Sequence, residues 1–374
     1  MKNRVKSPPF LVLAANTPWV YALAENLAEI SAVTAIRYYD WMTYRRLRPA
    51  WPLARNGVRQ ILHLEPPGYA GRFSMLCRPH LARAVRREAE RLRRETGKLP
   101  YVICPYPYLA PWVRDLPADR LIYYNLDEYS FYDPSRACET LRLERELSER
   151  ASLILCLSSH QVEVLQERYP KSASRTVHFP LGVVDTFINN RPDDIPSING
   201  VGYVGNLTNR VDWPLVIDVA RRCPATRFGF AGDPDHAAVG SSLYDWREVR
   251  GRALNLPNVE YLGNIQQTQV PAFYSNYAVN WMPYDVTHGF NIASCPTKIF
   301  DALASGRPFV STTIPECHLY PDYIHIGEDA AALSSIIEGL QSGQVSHDCA
   351  RQLTFARANT WAARARQLTD LIAV

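Results

Sequence analysis

Short, nearly unbroken apolar runs alternate along this chain with longer amphipathic stretches, the pattern of parallel strands buried on both faces and joined by helices. In the first half, Phe10–Ala15, Tyr101–Pro105, Leu121–Asn125 and Ser152–Leu157 read as strands. A turn at Asn16–Trp19 leads into a helix expected to run to Ile30, with Thr17 as N-cap and Pro18 in the first helical position. Another helix is expected over Cys138–Arg150, and Ser158-Ser159 caps the next one; Val177–Val183 closes the first domain. Residues 186–199 are polar and proline-bearing without an apolar period, which marks a linker. The strand–helix pattern then restarts with Val201–Gly205, a helix from Asp212 to Arg222 and a strand at Arg227–Ala231. From Asn258 to Thr312 the order reads strand, helix, strand, loop, helix, strand, and helices at Asp329–Leu340 and Trp361–Ile372 finish the chain. The expected organisation is therefore two α/β domains, 1–185 and 200–357, with a linker at 186–199 and a last helix within 358–374 that crosses back to the first domain.

Length agrees with this division, since 374 residues exceed one ordinary core. The eight cysteines include no C-x-x-C pair, and several lie in strand-like runs, which fits reduced thiols in a cytoplasmic protein. The basic start followed by an apolar run imitates a signal peptide, but Phe10–Ala15 is too short and reads as the first buried strand. No apolar run is long enough to span a membrane.

Charge changes the picture more. Residues 1–195 carry 28 basic against 21 acidic side chains, while the remainder carries 13 against 16, so the excess of positive charge belongs to the first half. Arginines mix with aromatic residues over Arg37–Trp51, and Arg78–Lys98 reads as a basic amphipathic helix with Leu81, Val85 and Leu92 on its apolar face. A solvated surface helix accounts for that pattern. An interfacial helix that presents Arg86, Arg87, Arg93 and Arg94 to anionic lipid is the sharper alternative. No recognised reading motif points to nucleic acid.

The candidate chemistry lies at strand ends. The first turn has no glycine, against a dinucleotide-binding G-x-G-x-x-G. Asp127, just past the strand at Leu121–Asn125, is placed to act as a general base, and Glu128 beside it serves equally well as a helix cap. In the second half, Gly205-Asn206 allows a close backbone approach to a ligand, and Arg210 is within reach of a diphosphate. The helix begun by Pro296-Thr297-Lys298 offers unpaired amides and a positive charge to a phosphate, with Asp301 one turn on to hold a ribose diol. An ordinary capped helix explains the same residues. Asp233-Pro234-Asp235 has the spacing of a metal clamp but reads better as a turn. The nine histidines show no metal-like spacing, and no residue is assigned to a metal. P-loop, nucleophile-elbow and H-E-x-x-H motifs are absent.

Taken together, G-Y-V-G-N-L-T at 202–208, N-V-E-Y-L-G at 258–263, M-P-Y at 282–284 and the run from Cys295 to Thr312 resemble the GT-B nucleotide-sugar glycosyltransferases, particularly bacterial family-4-like enzymes. The resemblance implies two Rossmann-like α/β/α domains facing across a cleft, the second for the nucleotide sugar and the first for the acceptor. It implies that Thr297 and Lys298 seat the diphosphate behind Pro296, and that Asp301 matches the ribose-binding acid ending the family's E-x7-E motif. The first acid of that motif falls at Ala293. The 263–301 spacing and the Leu126–Ser130 segment are also similar to xanthan-type glucuronosyltransferases, which invert. By that likeness Asp127 is the catalytic base, facing the 296 helix, and Leu207, Ile265 and Tyr284 line the base and phosphate pocket. On the acceptor side, Asn16, Trp19 and Glu128 are expected.

The expectation is thus a metal-independent glycosyltransferase without a cofactor, its donor a nucleoside-diphosphate sugar with UDP-sugar foremost. Its acceptor is a glycan or lipid-linked glycan of cell-surface polysaccharide synthesis, reached from the cytoplasmic face of the membrane. A GT-B nucleotide-sugar epimerase and a catalytically impaired nucleotide- or glycan-binding scaffold stand as alternatives.

Overall fold

The computed structural model describes residues 7–47, 57–68, 74–191, 194–240 and 242–373. The chain divides into two compact units, Met1–Pro180 with Trp361–Val374, and Leu181–Thr360. Each is built on one all-parallel sheet, and together they give the α/β architecture expected from the alternating runs.

The first sheet holds β1 (Phe10–Val12), β2 (Val33–Asp40), β3 (Arg59–Glu65), β4 (Tyr101–Cys104), β5 (Leu121–Asn125), β6 (Leu153–Cys156) and β7 (Thr176–His178), in the order β3-β2-β1-β4-β5-β6-β7. Central strands are apolar on both faces because helices cover both; all five residues of β5 are buried. Helix Ser74–Thr96 buries Leu81, Val85 and Leu92 as its apolar period predicts, each contributing about 1.5–3 kcal/mol of burial energy. Helix Trp361–Leu371 packs on helix Pro18–Leu27 within this unit. Thr17 is the N-cap of the latter, but its side chain makes no capping hydrogen bond.

The second sheet holds β8 (Ile198–Val204), β9 (Arg227–Ala231), β10 (Val259–Tyr261), β11 (Tyr277–Met282), β12 (Phe309–Ser311) and β13 (Ile324–Ile326), in the order β10-β9-β8-β11-β12-β13. Its core is aromatic, with Phe228, Phe230, Trp213 and Trp281 in mutual ring contact.

Several elements depart from the sequence reading. The Arg37–Trp51 stretch begins inside a strand, since Arg37, Tyr38 and Tyr39 lie in β2, and continues as helix Trp41–Leu47; residues 48–51 fall outside the described residues. Residues 186–199 are not a free linker. The Asn189 amide donates to Ala304 O at 2.8 Å and its side chain to Ser305 O at 3.0 Å, and β8 already starts at Ile198. Backbone polar groups satisfied this way tie the segment to the second unit. The loop before the 297 helix contains a one-turn helix, Gly289–Ala293. The 297 helix itself spans Thr297–Leu303, with Pro296 at the N-cap rather than inside the first turn.

In both sheets the chain lays down strands to one side and then crosses to the other, between β1 and β4 and between β8 and β11. Such switch points open a crevice at the carboxyl ends of the strands.

Candidate functional site

In the second unit, β8 runs out at Gly205 with φ +148°, a backbone state that side-chain-bearing residues rarely adopt. A Cβ placed there would lie 2.3 Å from Lys298 Nζ, so the end of the lysine would have to move. Gly232, at the end of β9, clears space in the same way, because its Cβ would fall 1.8 Å from the Gly205 carbonyl oxygen. The two glycines let the strand ends close up and let the Lys298 side chain lie across the Gly205 backbone.

Lys298 Nζ donates to the Tyr284 hydroxyl at 2.9 Å and sits over the rings of Tyr203 and Tyr284. The Arg210 guanidinium also lies over the Tyr284 ring, 5.0 Å from its centroid. Arg210 is aimed by neutral partners, Nε donating to Asn291 Oδ1 at 2.7 Å and Nη2 to Ser294 Oγ at 2.9 Å. Burial pushes the Tyr284 hydroxyl up, yet Lys298 and Arg210 outweigh it and hold the group below the usual phenol range. Neither cation has a carboxylate ion pair among the described residues. Two part-buried cations with no carboxylate ion pair among the described residues, beside a helix start, make this corner electropositive.

Asp301 lies one turn along the 297 helix. It is partly buried and accepts no hydrogen bond from any described residue, and burial pushes its carboxyl up to about 7 against the pull of Lys298. Of the other donor-side residues, Asn206 and Thr297 are exposed, Pro296 and Leu207 are buried, and Ile265 is partly buried with no polar contact. The Leu207 backbone is fixed, its amide donating to Asp233 O and its carbonyl accepting from Arg250. Asp233-Pro234-Asp235 forms a turn in which Asp233 Oδ1 accepts from the Asp235 amide at 2.9 Å. Ala293, where the family's first acid falls, is buried at 3% exposure.

In the first unit, Asp127 follows β5. Its Oδ1 accepts from the Glu128 amide at 3.0 Å and its Oδ2 from the Tyr132 hydroxyl at 2.8 Å. Tyr132 also lines a cavity of about 730 Å³ at the β1/β4 switch point, with Tyr106, Tyr108, Tyr129, Asp40 and Arg136. Tyr106 and Tyr108 stack at 5.4 Å. Stacked phenols with polar groups around them suit the apolar face and hydroxyl rim of a sugar.

The expected acceptor residues need correction. Glu128 is buried and committed: Arg168 Nη2 donates to it at 2.8 Å, Ser130 Oγ donates to it at 2.6 Å as it caps the turn at Tyr129–Phe131, and although burial pushes its carboxyl up, the Arg168 pair holds it below the ordinary range. It is the structural cap that the sequence left open, not a ligand group. Asn16 is spent on both polar groups of the Tyr38 backbone, at 2.7 and 3.1 Å. Trp19 is partly buried with no acceptor for its indole N–H, and Thr17 between the two reaches the cavity instead. Tyr106, Tyr108, Tyr132 and Arg136 were not singled out from the sequence. The P-Y-P-Y run at 105–108, just after a strand, was the available signal. Arg86, Arg87, Arg93 and Arg94 are all at least half exposed, each within 4 Å of an acidic side chain.

Residues 199–340 match the family described as glycosyl transferases group 1. A putative teichuronic acid biosynthesis glycosyltransferase, TuaH of Bacillus subtilis, is 25% identical over 179 residues, 46% of this chain and 43% of its own length, so the match spans less than half of that relative. Among solved structures, HepE of Anabaena in complex with UDP has a TM-score of 0.69 at 14% identity, covering 98% of this chain and 99% of that one. Sucrose-phosphate synthase of Thermosynechococcus elongatus gives 0.71 at 15% identity, with 98% of each chain covered. The fold is accordingly GT-B, two Rossmann-like domains.

Gly205→Ala is expected to displace Lys298 and to weaken binding of inorganic pyrophosphate by about tenfold in calorimetry, roughly 1.4 kcal/mol. Asp301 makes a second test without ligand. Its native carboxyl holds a proton more tightly than the unfolded chain, so its contribution to stability is complete below the ordinary value of 3.8 and is lost as pH rises through about 7. Asp301→Asn should therefore melt higher than the wild type at pH 8, and the difference should shrink steadily below pH 7 and vanish only below the ordinary value of 3.8.

Proposed function

We propose that this chain is a glycosyltransferase that moves a sugar from a nucleoside-diphosphate sugar, a UDP-sugar foremost, to a hydroxyl of a glycan or lipid-linked glycan in cell-surface polysaccharide synthesis. The observation that carries the reading is the pair Lys298 and Arg210, cations at a switch point that make no carboxylate ion pair among the described residues, with Asp301, which accepts no hydrogen bond from them, one turn away. Phosphate at the cations and ribose hydroxyls at Asp301 use all three. The UDP held by HepE and the teichuronic acid role in the name of TuaH support a uridine donor and a surface glycan.

In the transfer, Asp127 takes the proton of the acceptor hydroxyl as that oxygen bonds to the anomeric carbon. The bond from the anomeric carbon to the diphosphate breaks, and the charge left on the phosphate oxygen is met by Lys298 and Arg210. Tyr132 holds the Asp127 carboxylate in place, and the tyrosine-lined cavity beside it receives the acceptor sugar. Asp127→Asn keeps an acceptor for the Glu128 amide and offers the Tyr132 hydroxyl a donor in place of an acceptor, so the side chain can stay in position. It is expected to cut turnover by about 10²–10⁴-fold while leaving UDP affinity intact. UDP release from UDP-sugars with an oligosaccharide panel measures the first and calorimetry the second. Undiminished turnover would remove Asp127 from the chemistry. Donor interconversion without acceptor would instead make the protein an epimerase, and UDP binding with no turnover in the wild type would make it a scaffold.

We also place the first unit at an anionic membrane face. The exposed arginines of helix Ser74–Thr96 support this, together with Met75 and Leu76 at its start, which are 86% and 78% exposed. No helix of the described residues is long and apolar enough to cross a membrane, so the contact is peripheral. Changing Arg86, Arg87, Arg93 and Arg94 together to Glu should abolish sedimentation with phosphatidylglycerol vesicles. Unchanged sedimentation would refute the contact.

A further inference from the structure

His63 and Glu65 stand two apart on β3, so their side chains leave the same face of the strand. The fold brings His80, from helix Ser74–Thr96, to the same point. Glu65 Oε1 lies 2.6 Å from His63 Nε2 and 2.8 Å from His80 Nδ1. The carboxylate is 4% exposed, and the two imidazoles take the same oxygen from two directions. The His63 and His80 rings are 5.1 Å apart, and the Cys77 thiol, one turn before His80, lies against the carboxylate. In the sequence the set is spread as H-x-E and a histidine fifteen residues later, which is why spacing alone did not reveal it.

We propose that His63, Glu65 and His80 form a zinc site in the first unit. The three ligand atoms lie within 4.8 Å of one another. Zinc bonds of about 2.1 Å set tetrahedral ligand atoms about 3.4 Å apart, so the cluster needs only small side-chain rotations to receive the ion. The ion takes the place of the protons that now bridge the imidazoles to Glu65. Ligand chemistry selects the metal. Two imidazoles with one carboxylate and a thiol nearby suit zinc, whereas magnesium and calcium take oxygen sets. His80 is 67% exposed, which gives the ion a route in from solvent. Once bound, zinc ties β3, the edge strand of the sheet, to the helix that covers it. The site is separate from the proposed transfer chemistry, which uses none of these residues.

The test uses the untagged full chain, stripped with a chelator and dialysed. Zinc chloride is expected to bind one ion per chain at micromolar concentration or tighter in competition with a chromogenic chelator, and to raise the melting temperature. Magnesium and calcium chloride should do neither. His80→Gln, a change at an exposed position that leaves the core intact, should weaken zinc binding at least tenfold, and His63→Gln should do the same. UDP binding serves as the control for folding and should be unchanged in both variants. Failure of the wild type to hold stoichiometric zinc would overturn the site, leaving a hydrogen-bonded histidine cluster. Equal zinc affinity in wild type and His80→Gln would overturn it as well.

Discussion

The second unit's site depends on two places where no side chain can stand. Gly232 admits the carbonyl of Gly205, and Gly205 admits the ammonium end of Lys298. Without that double clearance the lysine is pushed off the strand ends and loses its 2.9 Å bond to Tyr284. Tyr284 is the shared floor: Lys298 hydrogen-bonds it, Arg210 stacks on it, and together they lower its pKa despite burial. The order is causal. Parallel strands end at a switch point, glycines let their ends converge, and convergence gathers two cations that make no carboxylate ion pair among the described residues.

In the first unit the organising device is electrostatic. Glu128 and Glu144, both nearly inaccessible to solvent, share the Arg168 guanidinium at 2.8 and 2.9 Å. Burial and the neighbouring Glu128 raise the Glu144 carboxyl, and it is further bonded by Tyr123 and Tyr169. Asn125, at the end of β5, reaches into this network and donates to the Asp127 carbonyl at 3.1 Å. Buried ion networks of this kind fix geometry more surely than they add stability, because removing any one partner strands the others. Asp127 inherits its position from that rigidity while its own carboxylate keeps only light contacts.

Where continuous apolar runs dictated a strand, the sequence was legible: Leu121–Asn125 and Arg227–Ala231 were delimited to the residue. β2 and β3 were not, because Arg37, Tyr38 and Tyr39 drew the eye to charge, and Arg59–Glu65 interleaves polar residues as a strand does near a sheet edge. Gly205, Arg210 and Lys298 were read from strand ends and a helix start, and Tyr284 from the family likeness; the structure brings the four side by side. For Glu128 the local pattern offered the cap it forms, but not the ion pair with Arg168, forty residues on. The His63, Glu65 and His80 cluster escaped for the same reason, since one partner is on a strand and another on a helix.

Ala293 bears on the course of the proposed transfer. It ends a one-turn helix and is packed at 3% exposure, so a longer acidic side chain there would have to displace its surroundings to reach a ligand. The polar groups flanking it, Asn291 and Ser294, are turned to Arg210 instead. This loop therefore orients the Arg210 cation and offers no carboxylate at the position of Ala293. A donor held by its diphosphate and ribose, with no acid from this loop at the anomeric centre, relies on a base elsewhere to drive attack. In the proposed transfer that base is Asp127, just past β5, whose carboxylate accepts from the Glu128 amide and the Tyr132 hydroxyl.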